Sequence, residues 1–252
     1  TQRLVRLASN TRRNINHFTE ERVAALRFVT EEESFAYLSH SWNLLTTLNN
    51  LKYGFGGLTD LGVIDASGLQ VAYAGPYNLE GKNYADQEWF KRTMRDGVYV
   101  SDVFLGLREV PHTIVAIRSS DSDGKVYAIR ATLETLRLAG LLEDIRGNII
   151  GGDAFLINDR GVLQTPSHRY GDVLSRVPFT VPPSAEETAV MTITDAHGDR
   201  YLAAYAYIEK SPFVLVFSEA EAGIFEEWAN LRVVFYWFIA GCVLVMSIIG
   251  VG

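Results

Sequence analysis

The sequence predicts an α+β chain: a long N-terminal stalk helix, two antiparallel β-sheet modules in tandem, and a transmembrane helix at the end. Three observations carry this. No Gly or Pro occurs before Gly54, and Leu4, Leu7, Ile15, Phe18, Leu26 and Val29 fall near a 3.6-residue period with Arg, Asn and Glu between them. After Gly54-Phe55-Gly56-Gly57 the period changes to two, and the turn signal Ile64-Asp65-Ala66-Ser67-Gly68-Leu69 returns about 93 residues later as Ile157-Asn158-Asp159-Arg160-Gly161-Val162. Residues 233–252 carry no charge. Twenty residues at about 1.5 Å rise reach about 30 Å, the hydrocarbon thickness of a bilayer.

Taken in order, residues 1 to about 30 form the stalk helix, and 32–39 and 43–53 form shorter helices that the Gly54–Gly57 run ends. Strand, turn and strand follow over 62–74. Asp86 is the expected N-cap of a short helix that Gly97 closes. Strands 113–118 and 126–132 flank the turn Ser120-Asp121-Ser122-Asp123-Gly124-Lys125, and 133–145 is a helix linking the modules. The second module runs from about 151 to 219, with 178–183 as a Pro-rich connector and a further hairpin signal at 192–198. A helix from 220 runs into the span. The expected division is a helical segment over 1–57, a first module over 58–147, a second over 148–219, and a signalling helix with its membrane span over 220–252.

Composition narrows the function. A net charge of −7 and a pI near 5.3 argue against a nucleic-acid partner, which needs a basic surface. The apolar content of 48% and aromatic content of 12% suffice for a sizeable core. Cys242 is the single cysteine and lies in the apolar run, so the remaining sequence offers no disulfide and no thiolate metal site. His17, His40, His112, His168 and His197 have no metal-ligand spacing. Asp121-Ser122-Asp123-Gly124 lacks the later acids of a calcium loop and reads as a hairpin turn. No nucleophile elbow, phosphate loop or supported carboxylate pair is present, so neither an enzyme nor a cofactor is expected. Glu219, Glu221, Glu226 and Glu227 before the span favour an extracytoplasmic position, whereas Arg3, Arg6, Arg12 and Arg13 at the other end argue for the opposite.

The order of elements resembles a double Cache (tandem PAS-like) extracytoplasmic sensor domain. The closest local similarity is Tyr84-Ala85-Asp86-Gln87-Glu88-Trp89-Phe90 followed by Ser101-Asp102-Val103-Phe104, similar to the family's segment around its membrane-distal pocket. The resemblance implies the sensor of a bacterial receptor in the inner membrane, with this part in the periplasm. It resolves the charge conflict in favour of outside. The receptor would most naturally be a two-component histidine kinase, with a chemoreceptor or a cyclic-di-GMP enzyme as alternatives, and a protein-contact module without a small ligand as a further one. The family's amino-acid-binding branch places an Arg where this chain has Gln87, an acid where it has Gly106, and an Asp on the strand that here reads Ile129-Arg130-Ala131-Thr132. Its amino-acid clamps are therefore not matched.

The ligand-binding residues expected on this basis are Tyr73, Tyr84, Trp89, Phe90, Ser101, Asp102, Phe104, His112, Arg118 and Arg130. Trp89 and Phe90 serve equally well as core. Arg118 and Arg130 punctuate apolar strands, where a guanidinium suits a carboxylate or a structural ion pair. His112 lies in a loop beside Arg108 and Pro111. A small carboxylate is the favoured ligand. The N-terminal helix reads either as a membrane-surface helix or as a stalk; its interleaved Arg, Asn and Glu favour a stalk that lies along its own domain and is the expected homodimer contact.

Overall fold

The computed structural model describes residues 2–147, 151–195 and 197–221. The apolar run 233–252 and nearly all of the helix expected to lead into it lie outside these residues. Among the described residues, no helix is long and apolar enough to cross a membrane.

Helix α1 (Gln2–Glu32) buries Leu4, Ala8, Thr11, Ile15, Phe18, Arg22, Ala25 and Val29. These recur at alternating steps of four and three, which keep one stripe facing a partner along a long helix. Leu7 lies beside this stripe and is half-buried. The short α2 (Phe35–Leu38) starts at Ser34, whose hydroxyl accepts the Tyr37 N–H at 3.1 Å. Helix α3 (Ser41–Phe55) is closed by Gly56, whose φ of 63° suits glycine.

The first sheet follows. It holds β1 (Leu58–Asp65), β2 (Gln70–Ala74), β3 (Val98–Val100), β4 (Thr113–Ser120) and β5 (Val126–Leu133) in the order β2-β1-β5-β4-β3. Helix α4 (Glu88–Asp96) precedes β3, and α5 (Thr135–Arg146) leaves β5 for the second sheet. That sheet holds β6 (Asp153–Ile157), β7 (Ala189–Thr194), β8 (Arg200–Tyr207) and β9 (Val214–Ala220) in the order β6-β9-β8-β7. Every pairing is antiparallel. Apart from the edge strand β2, the second sheet repeats the order of the first, and the bridge Ile157–Leu163 stands at the equivalent edge.

One turn chemistry serves all four hairpin signals. Asp65, Asp121, Asn158 and Asp195 each accept, on Oδ1, the backbone N–H groups two and four residues on. In each, a glycine three residues on donates to the first residue's carbonyl. Asp121 is thus spent on a turn. At α4 the structure corrects the expected cap: Gln87, not Asp86, is the N-cap residue and provides no side-chain cap bond. The Gln87 N–H is turned back onto the Tyr84 carbonyl at 2.9 Å, so the helix starts one residue later.

Strand alternation sorts the first sheet into two faces. Leu61, Val63, Val115, Ile117, Ile129 and Ala131 join the core shared with α1 and α3. Ile64, Ile114, Ala116 and Ala128 face the other way, under Tyr84, Trp89 and Phe90. Asp60, Arg130 and Thr132 share the parity of this second face. Helix α1 also packs on β8 and β9. Arg12 donates to the Glu186 carbonyl at 2.6 Å and to Glu209 at 2.9 Å, and Asn16 accepts the Glu209 N–H at 3.0 Å. The stalk therefore lies along both sheets of its own chain.

Candidate functional site

The 75–87 and 101–112 segments cover the second face of the first sheet, leaving a cleft over β5. Arg130 projects from β5 with its side chain 3% exposed. Its Nη2 donates to Gln70 Oε1 at 3.1 Å and stands 3.8 Å from Asp60 Oδ1. The guanidinium carbon lies 5.3 Å from the Tyr84 ring and 5.8 Å from the Trp89 ring. Gly62 is the register partner of Arg130 on β1. A Cβ at Gly62 would collide with Gln70 Oε1 and stand 3.4 Å from Arg130 Nη2, so this hydrogen bond requires glycine there.

Asp60 is fully buried on β1. It accepts the Tyr73 hydroxyl at 2.9 Å and pairs with Arg108 Nη2 at 2.5 Å. Gly75 permits the first contact, because a Cβ there would stand 2.5 Å from the Tyr73 hydroxyl. Arg108 comes from a single 3-10 turn (Gly106–Arg108); its side chain is 2% exposed. It also donates to the Thr132 hydroxyl and lies 5.1 Å from the Tyr77 ring. Burial lowers the Arg108 pKa, and Asp60 opposes that shift. Burial, with the Asp60 charge adding to it, raises the Tyr73 pKa and keeps this phenol a donor. Tyr84 is raised by burial as well.

His112 lies 4.4 Å from Phe104, ring centre to ring centre. Its Nδ1 is 2.8 Å from the Val110 carbonyl, which can only accept, so Nδ1 carries the proton and Nε2 is left as an acceptor. Burial pushes its pKa down to about 4, and Arg108 and Arg130 push the same way. The imidazole is neutral near pH 7.

Leu79, Tyr84, Trp89, Phe104, Leu107, Arg108, His112 and Arg130 line the cleft, which retains about 10 Å³ of free space. That is room for about one water. Four polar atoms around it are buried with no hydrogen-bond partner: Asp60 Oδ1, Tyr84 Oη, Arg108 Nε and Arg130 Nε. Native interiors rarely leave such groups unsatisfied.

Of the residues named from sequence, Tyr84, Trp89, Phe104, His112 and Arg130 come together here. Tyr73 stands behind them on Asp60. Phe90 sits in the core under α4, packed with Ile64 and Ile114. Ser101 accepts the Ile114 N–H at 3.0 Å and fixes the root of the covering loop. Asp102 faces the second sheet unit, 2.5 Å from Arg160. Arg118 is exposed outside the cleft and donates to the Met94 carbonyl at 2.8 Å. Asp60, Gln70 and Arg108 were not among the named residues. Asp60 lies before the 62–74 stretch read as strand, and its inward parity emerges only in β1 (Leu58–Asp65).

Among the described residues, the second sheet is filled by aromatic rings where the first has its cleft. The rings of Phe155, Tyr170 and Phe179 occupy the corresponding face, with centroids 5.4 to 6.4 Å apart. A roomier groove of about 530 Å³ runs along α1 past Val23, Phe28 and Val98, but its charged residues Glu20, Arg27 and Glu31 are at the surface.

No family model matches the sequence, and no curated protein matches it. Solved structures do. The extracellular domain of rpHK1S-Z16, assigned as a histidine kinase, superposes with a TM-score of 0.70 at 14% identity, covering 89% of this chain and 95% of that one. The ligand-binding domain of the Pseudomonas fluorescens chemoreceptor CtaA, in complex with L-isoleucine, gives 0.66 at 13% identity, over 90% and 94% of the two chains. That of the Pseudomonas aeruginosa amino-acid chemoreceptor PctC, in complex with GABA, gives 0.66 at 15%, over 86% and 98%. The chain shares its fold with extracellular and periplasmic ligand-binding domains of histidine kinases and chemoreceptors, which agrees with the double Cache resemblance read from the sequence.

Proposed function

We propose that this chain is the extracytoplasmic sensor of a transmembrane receptor, and that it binds a small carboxylate in the cleft between Trp89, Arg108 and Arg130. The observation that carries the reading is the set of buried, unpartnered polar atoms on Arg108, Arg130, Tyr84 and Asp60 in one cleft. Two buried guanidiniums face a single buried carboxylate, and an uncompensated buried charge is costly. A ligand carboxylate supplies the missing charge and the acceptors that Arg108 Nε, Arg130 Nε and the Tyr84 hydroxyl lack. The ligands of the two chemoreceptor domains, L-isoleucine and GABA, both carry a carboxylate. The work of this chain is then recognition, not catalysis.

The proposed division is a helical segment over 1–57, a ligand-binding module over 58–147 and a membrane-proximal module over 148–219. Ligand entry parts α4 from the 101–112 loop. That loop is tied to the second unit by the Asp102–Arg160 pair and by the Val103 N–H, which donates to Gln164 Oε1 at 2.6 Å. Its movement is therefore felt by the second sheet and by β9, which leads toward the membrane. A ligand shifts such an equilibrium only by its differential affinity for the two states. The favoured output is a histidine kinase, with a chemoreceptor or a cyclic-di-GMP enzyme as alternatives, and the stalk helix is the proposed homodimer contact.

The small free volume favours a second reading, a protein-contact module without a small ligand. The gathering of four unpartnered polar atoms around one cleft weighs against it. A thermal-shift panel of carboxylates, amino acids, polyamines and purines on the purified chain separates the two. A ligand at about 100 times its Kd adds about 2.7 kcal/mol of stability. The reading predicts a carboxylate hit that Arg130→Met abolishes. A panel without any carboxylate hit moves the assignment to the protein-contact module.

A further inference from the structure

Resting on the carboxylate reading above, we propose that Asp60 sets the charge of the ligand: the cleft is built for a singly charged anion, and Asp60 is the residue that excludes a doubly charged one. The cleft and the residues directly behind it contain four ionisable groups beyond the tyrosines. Arg108 and Arg130 are cationic, Asp60 is anionic, and His112, held between two guanidiniums with its Nδ1–H on the Val110 carbonyl, is neutral. The formal sum is one positive charge, shielded from water.

The charge is unevenly distributed. Asp60 holds Arg108 at 2.5 Å but stands 3.8 Å from Arg130. Arg108 is thus neutralised in place, with Thr132 as a further acceptor. Arg130 has only the neutral amide oxygen of Gln70 as a hydrogen-bonded partner, and the Tyr84 and Trp89 rings flank it. A single carboxylate on Arg130 brings the cleft to neutrality. A second carboxylate would find the charge of Arg108 already balanced and Asp60 repelling it. Asp60 has no place in the lining of the cleft. It acts through Arg108, as a positioning and charge-setting residue, and Tyr73 donates to the same oxygen, Oδ2, that pairs with Arg108.

The test is a charge series of nearly constant size, titrated calorimetrically against the full chain: succinamide, succinamate and succinate. The wild-type protein is expected to bind succinamate at least tenfold more tightly than succinate, and succinamide not at all. Asp60→Asn keeps an oxygen for Tyr73 and Arg108 but removes the negative charge that balances Arg108, so the order is expected to invert, with succinate at least tenfold tighter. A merely structural role for Asp60 would weaken all members together and leave the order unchanged. Carboxylates that bind with an order insensitive to Asp60→Asn overturn this inference and leave the carboxylate reading standing. Absence of binding by every member to the wild-type protein overturns the carboxylate reading and this inference with it. Should Asp60→Asn not fold, the wild-type order still decides: a preference for succinate overturns the proposal.

Discussion

The side-chain carbonyl of Gln164 accepts the backbone N–H of Val103 at 2.6 Å, out of contact with water, and joins two sheet units 61 residues apart in sequence. The bond sits at the root of the loop that carries Arg108 and His112. A second link, Arg160 to Asp102, lies beside it at 2.5 Å, but Arg160 is two-thirds exposed.

The two links should not be equal. Gln164→Ala leaves a buried N–H without an acceptor and is expected to cost about 1–3 kcal/mol. Arg160→Ala removes a solvent-screened ion pair and is expected to cost less than about 1 kcal/mol. Urea denaturation of both variants checks this. A larger loss in Arg160→Ala would contradict the account of how the units are joined.

Gly62 is where the cleft demands the smallest residue. Gly62→Ala drives a methyl group into the Gln70 amide and breaks its bond to Arg130. Such overpacking costs about 1–3 kcal/mol. Gly54→Ala is the control, since it lies in α3 with nothing within 4 Å of the added carbon. That change is expected to stabilise by up to about 1 kcal/mol through helix propensity. Thermal melts of the pair should therefore move in opposite directions.

His112 makes stability depend on pH in a defined window. Its pKa is lowered from 6.5 to about 4 in the folded chain. Between these values the unfolded chain binds the proton and the folded chain does not. The contribution is therefore fully present above about pH 6.5 and is lost as the pH falls toward 4, by at most about 3 kcal/mol. Comparing wild type with His112→Gln over pH 4 to 7 isolates the contribution of this imidazole. The wild-type curve should be the steeper one, and parallel curves would show that His112 does not titrate as described.

The second sheet's interior is structural on this account. Phe155 is fully buried there, against Tyr170 and Phe179. Phe155→Ala is expected to cost about 3–5 kcal/mol in stability while leaving the affinity of the first unit for its ligand unchanged. A loss of affinity in a variant that remains folded would place a ligand contact in the second unit.

The elements were legible because local physics decides them. The 3.6-residue stripe of α1, the Gly run after α3 and the four Asx turns are short-range features, and each stands where its residues predict. Asp86 misled as a cap, because the turn from Tyr84 to Gln87, set by one backbone bond, fixes where α4 begins. The cleft was legible in part. Arg130, Trp89 and His112 announced themselves as charge or aromatic bulk in marked positions. Arg118 looked equivalent to Arg130, but it sits near the end of its strand, where its side chain reaches solvent and the Met94 carbonyl. Asp60 could be assigned only once β1 was paired with β5, because its meaning lies in Arg108, 48 positions away across a loop. Long-range charge pairing leaves no periodic trace in a sequence.

Isothermal titration of the best carboxylate hit against wild type and Arg130→Met tests the central claim most directly. Met keeps the length and apolar bulk of the side chain while removing its charge and donors. Loss of at least a hundredfold in affinity, with the melting behaviour of the free protein retained, is the predicted result. Undiminished binding to folded Arg130→Met would contradict it and would place the ligand outside this cleft.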